Sequence, residues 1–313
     1  MGAELRVYRR RIRSVESTKK ITKAMELIAA SRIVKAQSRM NAAKPYAHEL
    51  STALARLGGD PTLAHPMLTG VANPRRAGIL LVTSDRGLAG GYNANAIKTA
   101  NELADRLGGD GMEVDRYVIG RKGVAFYRFR HIQLAGTWTG FSEQPNFHDA
   151  RGATDAVVAA LSATSEGEVE DGRPGIDELW VVYTRFVNSV SQTPTAVRVS
   201  PVRGATDESE GEQADEESAG DQVQYEFEPE PASLVAALLP RYISSRIFSA
   251  LLESAASESA ARRRAMKSAS DNATDLIRTY TRLANQARQA EITQEISEIV
   301  GGADALAAAG SEE

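Results

Sequence analysis

The chain has 313 residues, 42% hydrophobic and 25% charged, with a net charge of −4, an ordinary soluble, intracellular composition sufficient for one or two domains. It has no cysteine, which excludes disulfides, thiolate metal sites and cysteine nucleophiles, and its four histidines (His48, His65, His131, His148) lack ligand spacing. No apolar run approaches the roughly 20 residues of a membrane-spanning helix, and the opening residues form a charged helical pattern rather than a signal peptide, so a membrane role is expected only through a partner. The charge is segregated: residues 1–57 carry thirteen Lys or Arg against Glu4, Glu16, Glu26 and Glu49, whereas 204–230 carry eleven Asp or Glu and no basic residue. A basic arm facing an acidic partner or nucleic acid is one reading of the first stretch; the second reads as a solvated acidic loop.

Residues 1–57 form a first domain, one helix of ~80 Å at ~1.5 Å per residue. Leu5, Tyr8, Ile12 and Val15 recur at steps of three and four, and Ile33, Ala36, Met40, Ala43, Ala47, Leu50, Leu54 and Leu57 resume that register. Between them, KKITKAMELIAASR (19–32) breaks it: the register falls on Lys19, Thr22 and Glu26, while Ile21, Ala24, Met25 and Ile28 form a separate stripe. Pro45 removes a helical hydrogen bond and is expected to kink the helix.

Gly58-Gly59, Pro61, Pro66 and Pro74 mark a connector over 58–76. Residues 77–230 alternate strand-like and helical runs. AGILLVT (77–83) reads as a strand buried on both faces, followed by a helix from Asn93 to Leu107. VDRYVIG (114–120) is a strand, RKGVAFYRF a short helix, HIQLA (131–135) a strand and Phe147 to Leu161 a helix. ELWVVYT (178–184) and TAVRVSPV (195–202) close the block. This order predicts a three-layer, Rossmann-like α/β domain with a largely parallel sheet, its strand order open. Two stretches, 165–175 and 204–221, are too polar to bury anything and are expected to be mobile.

Residues 231–309 return to helical periodicity. Phe248, Leu252, Ala255, Ser259, Arg262, Met266, Ala269, Ala273, Leu276, Tyr280, Leu283, Ala287 and Ala290 keep heptad spacing, then Ile292, Ile296, Ile299, Ala303 and Leu306 continue it displaced by two. Because one terminal helix enters the middle domain and the other leaves it, their seams predict a long antiparallel coiled coil whose C-terminal end projects furthest.

TSDRGLAGGYN (83–93) is the segment closest to a chemical motif: a strand ends, glycines turn the chain, and a helix begins with free amides. Gly87, Gly90 and Gly91 lack dinucleotide-binding spacing, and there is no phosphate-loop motif. A tight strand-to-helix turn is the better reading, with Ser84, Asp85 and Arg86 as a contact surface. No histidine stands to activate Ser84, so no nucleophile is expected.

RIRSVESTKKITKAMELIAASR, SDRGLAGGYN and ARQAEITQEISEIVGGADAL occur in the order in which they occur in the gamma subunit of bacterial F-type ATP synthases, and the chain resembles that family over most of its length. Ile292, Thr293, Glu295, Glu298, Gly302, Ala303 and Ala305 fit its terminal signature. Departures are Ala89, where many members have cysteine, Ala284, where tyrosine is common, and Arg263-Arg264, where a shorter basic run is usual. The resemblance implies a non-catalytic central-stalk rotor, coupling ion-driven rotation to ATP synthesis and regulating ATPase activity and proton flow; neither cofactor nor metal is expected. The implied partners are an alpha/beta hexamer, an epsilon subunit and a membrane c-ring, with no nucleic acid. It implies a peripheral protein on the cytoplasmic side of the cell membrane, held there by the complex. Lys23 and Met25 would lie near acidic loops of beta, with Lys19, Lys20 and Arg32 offering further charge. The implied interface adds Arg86, Gly87, Gly90 and Gly91 near the lower rim of the hexamer, and Arg288, Gln289, Glu295, Ile296 and Ile299 at a tip inside an apolar collar. Two rivals remain: a nucleotide- or anion-binding α/β protein dimerising through its terminal helices, and a nucleic-acid binder using RVYRRRIR (6–13).

Overall fold

The computed structural model describes residues 2–58, 65–202 and 230–309; the acidic 204–221 stretch lies outside them. The elements are α1 (Gly2–Gly58), α2 (Pro66–Thr69), β1 (Arg76–Val82), α3 (Tyr92–Gly109), β2 (Glu113–Ile119), α4 (Arg121–Phe129), β3 (Gly136–Trp138), α5 (Phe147–Ala163), β4 (Glu178–Phe186), β5 (Gln192–Ser200) and α6 (Pro231–Ala309). The chain divides into two compact units, Ala29–Arg262 and Met1–Ile28 with Arg263–Glu313.

In the larger unit a five-stranded sheet runs β3-β2-β1-β4-β5. Its first four strands are parallel and β5 returns antiparallel to β4. Central β1 is buried from Ala77 to Val82, as a strand covered on both faces must be. Successive side chains alternate between faces. Ala77, Ile79 and Leu81 pack with Ile97, Leu103 and Leu107 of α3 and Tyr127 of α4. Leu80 and Val82 pack with Val157 and Leu161 of α5 and with Leu239 and Ile243 of α6. The unit therefore has three layers, and β5 carries Pro194 on the sheet edge, where a missing donor is tolerated.

Both terminal helices contribute to this unit. Leu54 and Leu57 of α1 share a core with Val235 and Leu239 of α6, while Ile33 and Ala36 share one with Ala256 and Ala260. As α1 numbers fall, α6 numbers rise, so the two helices run antiparallel. α1 continues through Pro45 and α6 through Pro240.

Two expectations fail locally. HIQLA is not a strand. His131 takes a left-handed φ of 56°, and the amides of His131 and Ile132 turn back to Arg128 O and Tyr127 O at 3.0 and 3.1 Å. That closes α4 and postpones the strand to Gly136. The 165–175 segment buries more than its polarity suggests: Val169 packs on the core and donates to Arg173 O at 2.8 Å. Asp177 fixes its base by accepting from Ser165 N at 2.9 Å and Arg75 N at 2.7 Å. Burial works to raise the Asp177 pKa, but these amides outweigh it and hold the carboxyl below its ordinary value.

One stretch of α6 reaches a mean hydropathy of 1.2 over 18 residues, long and apolar enough to cross a bilayer, where the sequence reading found none. In the fold Val235, Leu239, Ile243 and Ile247 of this helix are at most 1% exposed, packed beneath the sheet, so the apolarity has a structural use.

The smaller unit pairs the start of α1 with the end of α6. Thr22 Oγ1 and Ser270 Oγ hydrogen-bond at 2.7 Å, and the Tyr8 and Tyr280 rings lie 6.5 Å apart, again antiparallel. On α1 the register runs unbroken: Lys19 is half-buried, Thr22 and Glu26 are buried, and Ile21 and Ile28 are 58% and 53% exposed. On α6 the inward set is Met266, Ser270, Ala273, Ile277, Tyr280 and Ala284. Leu276, expected in the seam, is 45% exposed, because the four-then-three spacing from Met266 lands on its neighbour.

Candidate partner interface

The loop between β1 and α3 is held from several sides. Ser84 Oγ donates to Arg86 O at 2.6 Å, and Ser84 N donates to Asn93 Oδ1 at 2.8 Å. Asp85 N donates to Ser142 Oγ at 2.8 Å. The Asp85 carboxylate accepts from the amides of Gly140, Ser142 and Arg121 at 2.8, 3.0 and 3.1 Å. Gly120 makes this crossing possible: its φ is +101°, and a Cβ there would lie 2.1 Å from Thr83 O. Ser84 is fully buried and spent on loop structure, not poised as a nucleophile.

An ion-pair hub ties this loop to both terminal helices within the larger unit. Arg262 donates to Glu258 Oε1 at 2.7 Å and to Arg86 O and Gly87 O at 3.3 Å each. Its Nη1 lies 3.1 Å from Glu143 Oε1 as an ion pair without hydrogen-bond geometry. Glu143 also pairs with Arg32 and, at 3.5 Å, with Arg86. Burial pushes the Glu258 carboxyl above its ordinary pKa, opposed by Arg262. Burial likewise pushes the Tyr92 phenol up, with the Glu258 charge adding to it. Tyr92 OH meets Ser254 Oγ at 3.0 Å, and Ser257 Oγ donates to Thr184 O at 2.9 Å.

These contacts answer the nucleotide-binding rival. In an open α/β sheet the ligand crevice lies beyond the carboxyl ends of the strands where strand order reverses, here between β1 and β4. That place is filled by Ser254, Ser257, Glu258 and Arg262 of α6. Among the described residues no cluster of three or more metal-ligating side chains occurs.

The sequence-predicted interface residues fall on three stretches of chain, one in the larger unit and two in the smaller. In the loop, Arg86 is 72% exposed at its side chain, Gly87 is half-buried, Gly90 and Gly91 are exposed, Gly90 has a φ of 57°, and Gly91 is the N-cap of α3. In the smaller unit, Lys20 and Lys23 are exposed, Met25 is half-buried and Lys19 sits in the seam; Lys23 pairs with Glu26 at 3.0 Å. Also in the smaller unit, Arg288, Gln289, Glu295, Ile296 and Ile299 are exposed on α6. They begin eighteen residues beyond Ser270, about 27 Å along the helix. Arg32 is a correction: its charge is engaged by Glu143 instead of being offered outward. Sequence reasoning missed Glu143, Glu258 and Tyr92. Only the Glu258–Arg262 spacing of four, with Arg262 at a seam position, signalled part of the hub.

A Rossmann-like sheet whose ligand crevice is filled by α6, with α1 and α6 antiparallel in each unit, defines a structural stalk protein rather than a nucleotide enzyme. The comparisons make this particular. A family model described as ATP synthase matches residues 4–306. The chain is 56% identical over 313 residues to the ATP synthase gamma chain of Acidothermus cellulolyticus, covering all of both chains. It is 54% identical over 308 residues to that of Frankia casuarinae, covering 98% of this chain and 99% of the relative. In fold it is similar to a chain of the Euglena gracilis mitochondrial ATP synthase (OSCP/F1/c-ring, rotational state 3), at 18% identity and a TM-score of 0.66, covering 98% of this chain and 95% of the other. The chain belongs to the ATP synthase gamma-chain family.

Proposed function

We propose that the chain is the central-stalk rotor of a bacterial ATP synthase, coupling ion-driven rotation of a membrane c-ring to ATP synthesis on an alpha/beta hexamer. Its partners are that hexamer, an epsilon subunit and the c-ring, and it lies on the cytoplasmic side of the cell membrane as a peripheral protein. The chemistry belongs to the partners; this chain contributes shape and contacts. The observation that carries the reading is the apolar surface left on the end of α6: Ile292, Ile296, Ile299 and Val300 are 45–71% exposed. Covering one such side chain is worth about 1.5–3 kcal/mol, so encirclement by other chains accounts for residues that water disfavours. Lys20 and Lys23, also exposed, add weak contacts to acidic loops, each ~0–1 kcal/mol, which suits a shaft that must pass successive identical subunits without sticking.

The test is isolation through a tag on this chain. Alpha, beta, epsilon and c chains should co-purify in fixed proportion, and ATP should drive rotation of a bead attached to the α/β unit. Recovery of the chain without ATPase subunits, or a bead that never turns, would overturn the reading. Met25→Lys should leave the helical pair folded while lowering the protons pumped per ATP hydrolysed; unchanged coupling removes Met25 from the interface.

A further inference from the structure

In the loop between β1 and α3, Ala89 is 2% exposed and packs with Tyr92 and Ala261, whereas Leu88 beside it is 61% exposed. An exposed leucine on its own is ordinary; the backbone beneath this one is not. Leu88 has a φ of 64°, a left-handed conformation disfavoured for a residue with a Cβ and natural for glycine. The loop uses glycine for the same purpose at Gly90, with a φ of 57°. Such strain persists where the surroundings over-determine it, and here they do. Residues 84–87 are pinned by Asn93, Ser142 and the carbonyl contacts of Arg262 on one side of Leu88, and Tyr92 is anchored to Ser254 on the other.

The charges beside this projecting leucine have one outward sign. Arg86 and Arg121 are 72% and 68% exposed at their side chains. The Lys122 amine lies 3.7 Å from where a Gly87 Cβ would be. The nearby carboxylates, Asp85 and Glu143, are only 10% and 15% exposed and are turned into the loop's own network.

We propose that Leu88 is the apolar anchor of the loop interface, inserting into an apolar socket rimmed by carboxylates on the alpha/beta hexamer. This rests on the rotor reading and assigns within it the side chain that carries affinity at this loop. A rigid knob loses little freedom on docking, and one desolvated anchor commonly outweighs the contacts around it.

The natural absence of cysteine makes the test direct, since Leu88→Cys and Arg86→Cys each supply this chain's sole thiol. In the isolated chain both variants should react readily with a maleimide. In the assembled ATPase the Leu88→Cys thiol should lose most of its reactivity. If it stays reactive while the Arg86→Cys thiol is shielded, the loop is an interface but Leu88 is not its anchor, and the proposal fails alone. If both stay reactive, the interface reading of this loop fails with it. A second comparison separates anchoring from folding. Leu88→Asn tolerates the left-handed backbone, so the isolated chain should melt no lower than the native one. Its affinity for the alpha/beta assembly should fall about tenfold or more, the loss expected when one buried leucine contact is removed, while Leu88→Met should retain most of it. Equal affinity of the asparagine and native chains would overturn the anchor.

Discussion

Glu258 and Arg262 show how a single buried charge depends on its counter-charge: their side chains are 1% and 6% exposed. Removing the arginine alone strands a carboxylate away from water, a loss of about 3–5 kcal/mol for a buried pair. Arg262→Met should therefore lower the denaturation midpoint sharply, while Arg262→Met with Glu258→Gln should recover most of the loss, because no unpaired charge is left at position 258. Equal midpoints for the single and double variants would show that the hub's energy lies elsewhere. The same buried carboxyls set a pH dependence. Burial raises the pKa of Glu253 above 4.5, opposed by the Phe186 amide, Arg185, Arg246 and Lys44; Glu258 is raised for the same first reason. The native state then keeps protons that the unfolded chain releases. This part of stability is full below about pH 4.5 and is lost as pH rises through the native values. Glu253→Gln should flatten the stability curve above pH 4.5; an unchanged slope would count against this origin. In the sequence Arg262 was legible as an inward position, but Glu143 was not, since its partners lie at positions 32 and 262 and no local spacing joins them.

At the scale of the helices, the KKITKAMELIAASR segment keeps its seam and fills it with polar groups. Thr22 is buried and shares a 2.7 Å hydrogen bond with Ser270, and Glu26 leans on Lys23, while Ile21, Leu27 and Ile28 face outward at 53–62% exposure. Polar residues at seam positions cost stability and specify register. Thr22→Val alone leaves the Ser270 hydroxyl without its cross-helix partner and should destabilise the smaller unit by about 1 kcal/mol. Adding Ser270→Ala removes the second group, and the pair should then be at least as stable as the native one in thermal denaturation. A double variant weaker than the native protein would show that the hydrogen bond itself is a net stabiliser. The heptad spacing made this unit readable, down to the anomaly at Lys19, Thr22 and Glu26. It could not distinguish Leu276 from Ile277, because adjacent helix positions differ by only about 100° and the facing surface decides between them.

At the scale of the whole chain, the alternation of apolar runs with helical ones was enough to define a three-layer sheet unit between long terminal helices in sequence, because the central strands of a parallel sheet are covered on both faces and read as apolar runs, as β1 does. Strand order was not legible, and strand order is what excludes the nucleotide reading. The order β3-β2-β1-β4-β5 puts the reversal beside β1, where a Rossmann enzyme would hold its ligand, and α6 crosses there with Tyr92 bound to Ser254 and Ser257 bound to Thr184 O. A nucleotide entering this crevice would have to displace a helix whose Ala256, Ser257 and Ala260 have no exposed surface. A ligand at a hundred times its dissociation constant stabilises its fold by about 2.7 kcal/mol. The isolated chain should accordingly melt at the same temperature with and without millimolar ATP or NAD. A rise of several degrees with either would mean that the crevice opens, and the helix now read as a permanent occupant would become a displaceable plug.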